Sequence, residues 1–389
     1  MRLTRGVFGD PYARVVVLYR RRKRTVCGTC GAVSRSFYDQ ELRQVRDLAC
    51  GGRRIYLELA VRRVCCPVCN AVRQERLDFL GANSRYTRRF VLDVGRRCAR
   101  SSIKDIAREL HLEWHVVKRL EQEYMREQLR QVGSPKPRII GVDEVSIARG
   151  QTYRIVVSDL ERKRPIWFGG RNRSEASMAE FYTGLGPKGC SMIRLAVMDM
   201  WEPFRIATEK QAPQAAILYD KFHVLARLSE ALDKVRRSEY QRLEADGTRR
   251  FIKGQRYNLL SHWANLRYKG RQALQVLFAA NKRLNVAYLL KESFGQLWSY
   301  CREGWAWRFF WNWWEALRWQ RLKPYEEFAR MILRHWSGIA AYCHVENKVS
   351  LGFVEGINNK IRVIQRRAYG VRDEEYLRLK VLTMTLPLI

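Results

Sequence analysis

The apolar positions of this chain change their period several times, and each change marks a boundary. Residues 26–75 read as short strands around cysteines. Within them, apolar and less apolar residues alternate for most of the run IYLELAVR at 55–62, which predicts a half-buried strand. Between 84 and 131 the spacing becomes helical. Ile103, Ile106, Ala107 and Leu110 recur every three or four residues, with Ser101 or Ser102 placed to cap the helix. A turn at His111 and Leu112 leads into a second helix, from about Glu113 through Val116, Val117 and Leu120 to Tyr124. Two short helices and a tight turn predict a helix-turn-helix.

The stretch GSPKP at 133–137 carries two prolines in three residues and reads as a linker. Three strands are predicted beyond it, at 138–147, 153–160 and 164–170, joined by short turns as an antiparallel meander. A helix near 175–185, a strand at 192–199, a helix around 203–211 and an apolar run at 215–219 follow. Three antiparallel strands and then two strand–helix alternations predict a mixed sheet with helices on its faces. From about Val224 the strand signals stop. Residues 224–345 read as a long helical stretch, interrupted by Asp246-Gly247 and Gly254 and rich in tryptophan. After Gly352 the sequence FVEGINNKIRVIQRRAYG reads as a basic amphipathic helix.

Composition narrows the partners. The 389 residues suffice for two or three domains, and 47% hydrophobic content supports a real core. Lys and Arg number 73 against 39 Asp and Glu, a formal net charge of +34. Such an excess points to nucleic acid, because neutralising phosphates releases counterions. The run RRRKR at 20–24 is the densest local patch. No run of eighteen apolar residues and no apolar leader is present, so we expect a cytoplasmic protein with no membrane partner, nucleoid-associated if it acts on DNA. In a reducing compartment the ten cysteines are thiols or metal ligands rather than disulfides.

Four of those cysteines form two C-x-x-C knuckles, Cys27 with Cys30 and Cys66 with Cys69. Four thiolates so spaced suit a closed, structural zinc site, with Cys65 as an alternative ligand to Cys66. The second helix of the helix-turn-helix offers Trp114, His115, Lys118 and Arg119 toward a DNA groove. Asp143 and Asp199 each end an apolar strand, and Glu355 opens the basic helix 156 residues after Asp199. Three clustered carboxylates repel one another unless cations intervene. Two divalent ions would relieve that repulsion and serve an in-line displacement at phosphorus. Trp307, Trp311 and Trp314 recur at helical spacing. Their ordinary reading is core packing; the functional one is base stacking, supported by the interleaved Arg302, Arg308, Arg318, Arg321 and Lys323. Lys360, Arg362, Arg366 and Arg367 could bind phosphates flanking a cut.

The blocks GVDEVS, VMDMW, LYDKFHV and VEGINNKIRVIQRRAYG resemble the signature blocks of the ISL-three family of bacterial insertion-sequence DDE transposases. The similarity covers nearly the whole chain, and the E-G-x-N block with its basic residues and Y-G is its most specific part. The resemblance implies a multidomain protein: a zinc-ribbon-like N-terminal module, a helix-turn-helix, and an α/β RNase H-like mixed sheet interrupted by an all-α insertion. The matching ranges are 1–80, 81–132, 138–223, 224–345 and 346–389, the last completing the catalytic core. It further implies Asp143, Asp199 and Glu355 as the catalytic acids. Asp220 competes with Asp199, because Asp220-Lys-Phe-His223 resembles a [CD]-x-x-H motif beside the catalytic acids of related enzymes. His223 would contact the scissile phosphate or order the site. Glu144 should face away from Asp143 if the strand continues. Arg362 stands near a position where the family usually shows lysine.

The function so implied is binding of terminal inverted repeats in double-stranded DNA, then cleavage and strand transfer with two Mg²⁺ or Mn²⁺ ions beside a structural Zn²⁺. Holding two ends requires a homodimer or larger assembly. The rival readings are a zinc-containing transcription regulator without catalysis, a nuclease that cuts without joining, and an inactive copy.

Overall fold

The computed structural model describes residues 3–7, 10–21, 23–148, 152–243, 249–349, 352–367 and 373–389. Arg22 of the basic run, the Asp246-Gly247 interruption and the Y-G pair at Tyr369 and Gly370 lie outside the described residues. The chain forms two compact units, Met1–Ser134 with Arg366–Ile389, and Pro135–Gln365, so the boundary falls within the GSPKP linker.

The first unit opens with strands β1 (Leu3–Val7), β2 (Asp10–Val17), β3 (Thr25–Val26), β4 (Val33–Ser34), β5 (Asp39–Cys50), β6 (Arg53–Cys66) and β7 (Ala71–Gln74). The main sheet has the order β1-β2-β6-β5 with β7 also on β6, and β3 and β4 form a separate hairpin. Leu59 and Val61 alternate inward on β6, and Val64 and Cys66 follow, so the half-buried strand expected at 55–62 is present. Helices α1 (Arg88–Cys98), α2 (Ile103–Leu110) and α3 (Trp114–Val132) come next. Ser102, of the two candidate caps, accepts from the Asp105 amide. His111 takes a left-handed conformation with φ 51°, which makes the tight turn into α3. Phe90, Val94, Ile106, Val117 and Leu120 close a small core among the three helices. The second helix runs past Tyr124 to Val132, longer than the sequence pattern suggested.

The C-terminal helix Glu374–Thr383 packs Tyr376 and Leu379 against Tyr124 and Met125 of α3. Glu121 is 2% exposed there and accepts from the Tyr376 hydroxyl at 2.5 Å and from the Lys380 ammonium. Residues 366–389 therefore group with the N-terminal unit. The physical reason is the buried Glu121 carboxylate, whose cation comes from this terminal helix.

The second unit holds β8 (Ile139–Ala148), β9 (Thr152–Asp159), β10 (Arg164–Gly169), β11 (Leu195–Met198) and β12 (Ala216–Tyr219), in the order β10-β9-β8-β11-β12. The first three pair antiparallel, and β11 and β12 run parallel to β8. This is the mixed sheet expected from three strands followed by two strand–helix alternations. On one face Ile140, Val142, Ile155 and Val157 pack with Met178 and Phe181 of α4 (Glu175–Cys190) and Phe204 of α5 (Glu202–Gln211). On the other face Ile139, Leu195, Val197 and Leu218 pack with Val354 of the basic helix Gly352–Arg367. Gly141 allows that approach, since a Cβ there would stand 2.8 Å from a Val354 methyl and 2.9 Å from Leu160.

After Tyr219 the described chain is helical as far as Asn347, beginning with α6 (Lys221–Arg242). Leu228, Leu274, Leu284, Phe310 and Tyr325 from this region share one core with the sheet face. Gly254, with φ 78°, breaks the helices as expected. The tryptophans divide. Trp313 is buried and donates to the Leu290 carbonyl at 2.9 Å. Trp307 and Trp311 are 38% and 47% exposed, with ring centroids 6.1 Å apart. The core-packing reading of Trp307 and Trp311 is thus corrected: Ala306, Phe310, Trp313 and Leu317 supply the buried stripe, and the tryptophans flank it. Among the described residues no helix is long and apolar enough to cross a membrane.

Removing the Lys380 ammonium strands the Glu121 carboxylate in the core of the first unit. Lys380→Ala should cost about 2–4 kcal/mol and lower the melting temperature. Lys380→Arg should retain most of the stability. Calorimetry of the two variants measures this.

Candidate functional site

The cysteine knuckles lie in two tight turns. Cys27 to Cys30 fill the β3–β4 hairpin, and Cys66 to Cys69 join β6 to β7. Each knuckle is followed by a left-handed residue, Gly31 with φ 78° and Asn70 with φ 47°, which reverses the chain and turns both thiols inward. Sγ–Sγ separations are 3.9 Å for Cys27–Cys69 and 3.4 Å for Cys30–Cys66, and all four sulfurs lie within 4.8 Å of one another. Tetrahedral zinc with bonds of about 2.3 Å spaces its sulfurs about 3.8 Å apart, so the cluster fits that ion. Cys65 is exposed and outside the cluster, because successive residues of β6 face opposite sides. The Cys27 thiol is pulled down to about 6, chiefly by the Cys30 and Thr29 backbone amides. The Cys69 thiol is pushed up to about 12, by hydrogen bonding with Cys30 and then by burial. Sulfurs packed this closely do not ionise together unless a cation compensates them.

The second constellation follows from strand register. Ile139 of β8 lies opposite Leu195 of β11, which lies opposite Ala216 of β12. Four residues past that row stand Asp143, Asp199 and Asp220, at one level across three neighbouring parallel strands. The Asp220 amide donates to the Met198 carbonyl at 2.9 Å and extends the ladder to this level. Each carboxylate accepts from a backbone amide just downstream: Asp143 from Glu144 at 2.8 Å, Asp199 from Met200 at 2.6 Å, and Asp220 from Phe222 at 2.8 Å, where it caps α6. His223, in the first turn of α6, places Nδ1 3.6 Å from Asp199 Oδ2.

Burial raises the Asp143 carboxyl above the usual aspartate range, and the charges of Asp199 and Asp220 add to it, against the Glu144 amide and His223. Asp220 is raised by burial first and then by Asp199. Glu144 is raised by burial, with Arg173 opposing at 3.1 Å. Glu144 thus has its own cation, and Asp143, Asp199 and His223 still act on it electrostatically.

Glu355 lies in the first turn of the basic helix and is exposed. One turn later Asn358 donates Nδ2 to Asp143 Oδ2 at 2.6 Å. Residues three apart are neighbours on a helix surface, so this bond brings the Glu355 side of the helix toward Asp143. Among the described residues, no three carboxylates or imidazoles come as close together as the four cysteines do. Asn358 stands in the E-G-x-N block without a role assigned to it, and Arg173 was not singled out in the sequence. The signal for Asn358 was its spacing from Glu355. Nothing local marked Arg173, whose guanidinium lies 4.4 Å from the Trp201 ring centroid.

The candidate DNA contacts also divide. Lys118 places its Nζ 2.7 Å from Asp373 and 5.0 Å from the Tyr376 ring centroid, against the terminal helix. Arg119 is exposed and lines a cleft of about 1000 Å³ with Arg88, Arg126 and Arg130. Trp114 is 54% exposed at the start of α3. Lys360, Arg362, Arg366 and Arg367 are exposed on the basic helix.

Against known proteins, a family model described as "Transposase" matches residues 140–381. The helix-turn-helix domain of transposase family ISL3 matches 75–125, and the zinc-finger of the IS204, IS1001, IS1096 and IS1165 transposases matches 23–69. The chain belongs to the ISL3 family of transposases. It is similar to the transposase for insertion sequence element IS1001 of Bordetella parapertussis, 34% identical over 97% of this chain and 91% of that protein. It is also similar to the transposase for IS1557 of Mycobacterium tuberculosis, 28% identical over 94% of this chain and 87% of that one. The protein is thus a DNA transposase of the DDE class, with a zinc ribbon and a helix-turn-helix ahead of a mixed sheet with helices. A regulator without catalysis is not favoured. The zinc-finger match contains all four clustered cysteines, and the transposase match contains Asp143, Asp199, Asp220 and Glu355.

Two outcomes follow for this transposase. Replacing Cys27 and Cys30 by serine should abolish stoichiometric zinc, read by metal analysis, and loosen the β3–β4 hairpin, read by proteolysis. The acid cluster has the opposite sense. Asp143, Glu144 and Asp220 hold protons more tightly in the folded chain, so stability without divalent metal falls as pH rises from the ordinary carboxylate range through their raised values. Asp143→Asn should therefore raise the melting temperature of metal-free protein at neutral pH, by roughly 2–4 °C for each kcal/mol relieved.

Proposed function

We propose that this transposase reads the terminal inverted repeats of its own insertion sequence through the N-terminal unit and cuts and joins DNA at the acid row. The sheet order β10-β9-β8-β11-β12 supports an RNase H-like core, assembled from 138–223 and the chain from 346 to the end of the unit, with 224–345 as an all-α insertion. Residues 1–80 would form the zinc module and 81–132 the helix-turn-helix region. The observation that carries the reading is the common register level of Asp143, Asp199 and Asp220, with the Glu355 helix tied to the first of them.

Asp143, Asp199 and Glu355 would hold a pair of Mg²⁺ or Mn²⁺ ions, because carboxylate oxygens are the ligands that hard divalent cations prefer. Such ions, when bound, polarise the attacking and leaving oxygens of a displacement at phosphorus. The protein's own groups do the rest. Asp199 ranks ahead of Asp220 as the second acid, since Asp220 also serves as the cap of α6. His223 restrains Asp199. Lys360, Arg362, Arg366 and Arg367 would hold phosphates on either side of the cut, and Arg119 would contribute to end binding. In the first step a water oxygen attacks phosphorus and the P–O3′ bond breaks, freeing a 3′-OH. In the second that 3′-OH attacks a target phosphodiester, so one P–O bond forms as another breaks and no external energy source is needed. Two ends must be held together, which calls for at least a homodimer acting on nucleoid DNA.

Asp143→Asn should abolish cleavage, by more than about a thousandfold on the scale of a lost transition-state contact, and leave end binding near normal in a mobility-shift assay. Asp199→Asn and Asp220→Asn, made separately, identify the second acid by which one removes cleavage. Joining of a pre-cut end to plasmid DNA with Mg²⁺ separates a transposase from a nuclease, which would leave the plasmid unjoined.

A further inference from the structure

The two halves of the Asn358 amide fare differently. The residue is 6% exposed and lies on the buried side of the basic helix with Val354, Ile357 and Ile361. Its Nδ2 donates to Asp143 Oδ2 at 2.6 Å and approaches the Glu144 carbonyl at 3.5 Å. Its Oδ1 is sealed from solvent and, among the described residues, has no hydrogen-bond donor. A buried acceptor without a donor is costly, and folded proteins rarely tolerate one without a use for it. Turning the amide over would not relieve it, because the oxygen would then face the Asp143 carboxylate. A leucine would fill a similar volume without the penalty, so packing alone gives no reason for an amide here.

The Asp143 carboxylate is held from both sides. Oδ1 accepts from the Glu144 amide and Oδ2 from Asn358, which leaves each oxygen a lone-pair direction for another partner. The first bond comes from the strand and the second from the helix carrying Glu355. Asn358 therefore fixes the carboxylate and ties it to that helix.

We propose that Asn358 is a positioning residue of the acid site. Nδ2 sets the Asp143 carboxylate toward the side of the helix that carries Glu355, and Oδ1 accepts from water accompanying a divalent cation held by those two acids. The inference rests on the acid row being a cation site. Partners of this kind, beside a metal ligand, typically change metal affinity by about 10–100-fold when removed.

The test uses the full-length, zinc-loaded protein without DNA, titrated with Mn²⁺ in a calorimeter. Asn358→Leu should bind Mn²⁺ about 10–100-fold more weakly than the unchanged chain, with a metal-free melting temperature no lower. Asn359→Ala, at the exposed neighbouring amide, should bind it unchanged. Asn358→Ala replaces the leucine variant if that one fails to fold, as judged by circular dichroism and zinc content. Mn²⁺ affinity within about threefold of the original in a folded Asn358 variant, well short of the usual loss, would overturn the proposal and leave the amide a packing residue. Asp143→Asn is measured beside them. If Asp143→Asn also keeps full Mn²⁺ affinity, the acid row is not a cation site and the broader reading fails with it.

Discussion

Like charges brought together under a protein surface are the constraint around which the second unit is arranged. Parallel pairing of β8, β11 and β12 sets Asp143, Asp199 and Asp220 at one level, where backbone register gives them no freedom to separate. Burial raises the cost of ionising Asp143 and Asp220, and their neighbours raise it further. The chain offsets part of this with local amides, with His223, and with Arg173 beside Glu144. The remainder is strain that a divalent cation would relieve.

The basic helix is shaped by the same demand. Its apolar side packs Val354 on the sheet, and Gly141 lets it approach closely enough for Asn358 to reach Asp143. The amide thus joins the helix to the strand through the Asp143 carboxylate. Glu355 and the exposed cations of the helix take their directions from that seating. A long run of helices separates Tyr219 from Glu355, yet its leucines and aromatics join the core on the opposite sheet face and so stabilise the strands that carry the acids.

The N-terminal unit solves a different problem, that of small elements with little core. Its β3–β4 hairpin has only two residues per strand and depends on the thiol cluster for its shape. The three helices around α3 bury few side chains, and the terminal helix completes them through Tyr376, Leu379 and the Glu121–Lys380 pair. Lys118 pairs with Asp373 at that same junction, and Arg119 is its exposed neighbour.

The sequence by itself determined whatever depends on local periodicity and spacing: the knuckles, the turn at His111, the meander followed by two strand–helix alternations, and an acid at the end of each of three strands. The family blocks could be read because they are short and contiguous. Only the tertiary structure decided which side chains meet across hundreds of residues. It put Cys66 rather than Cys65 in the cluster, through the facing of β6. It exposed Trp307 and Trp311, because the helix buries the adjacent stripe. It drew residues 366–389 to the N-terminal unit, gave Lys118 to Asp373, and paired Asn358 with Asp143. Each of these turns on the orientation of one element against another, and a hydrophobic pattern fixes the face an element buries without naming the neighbour it meets there.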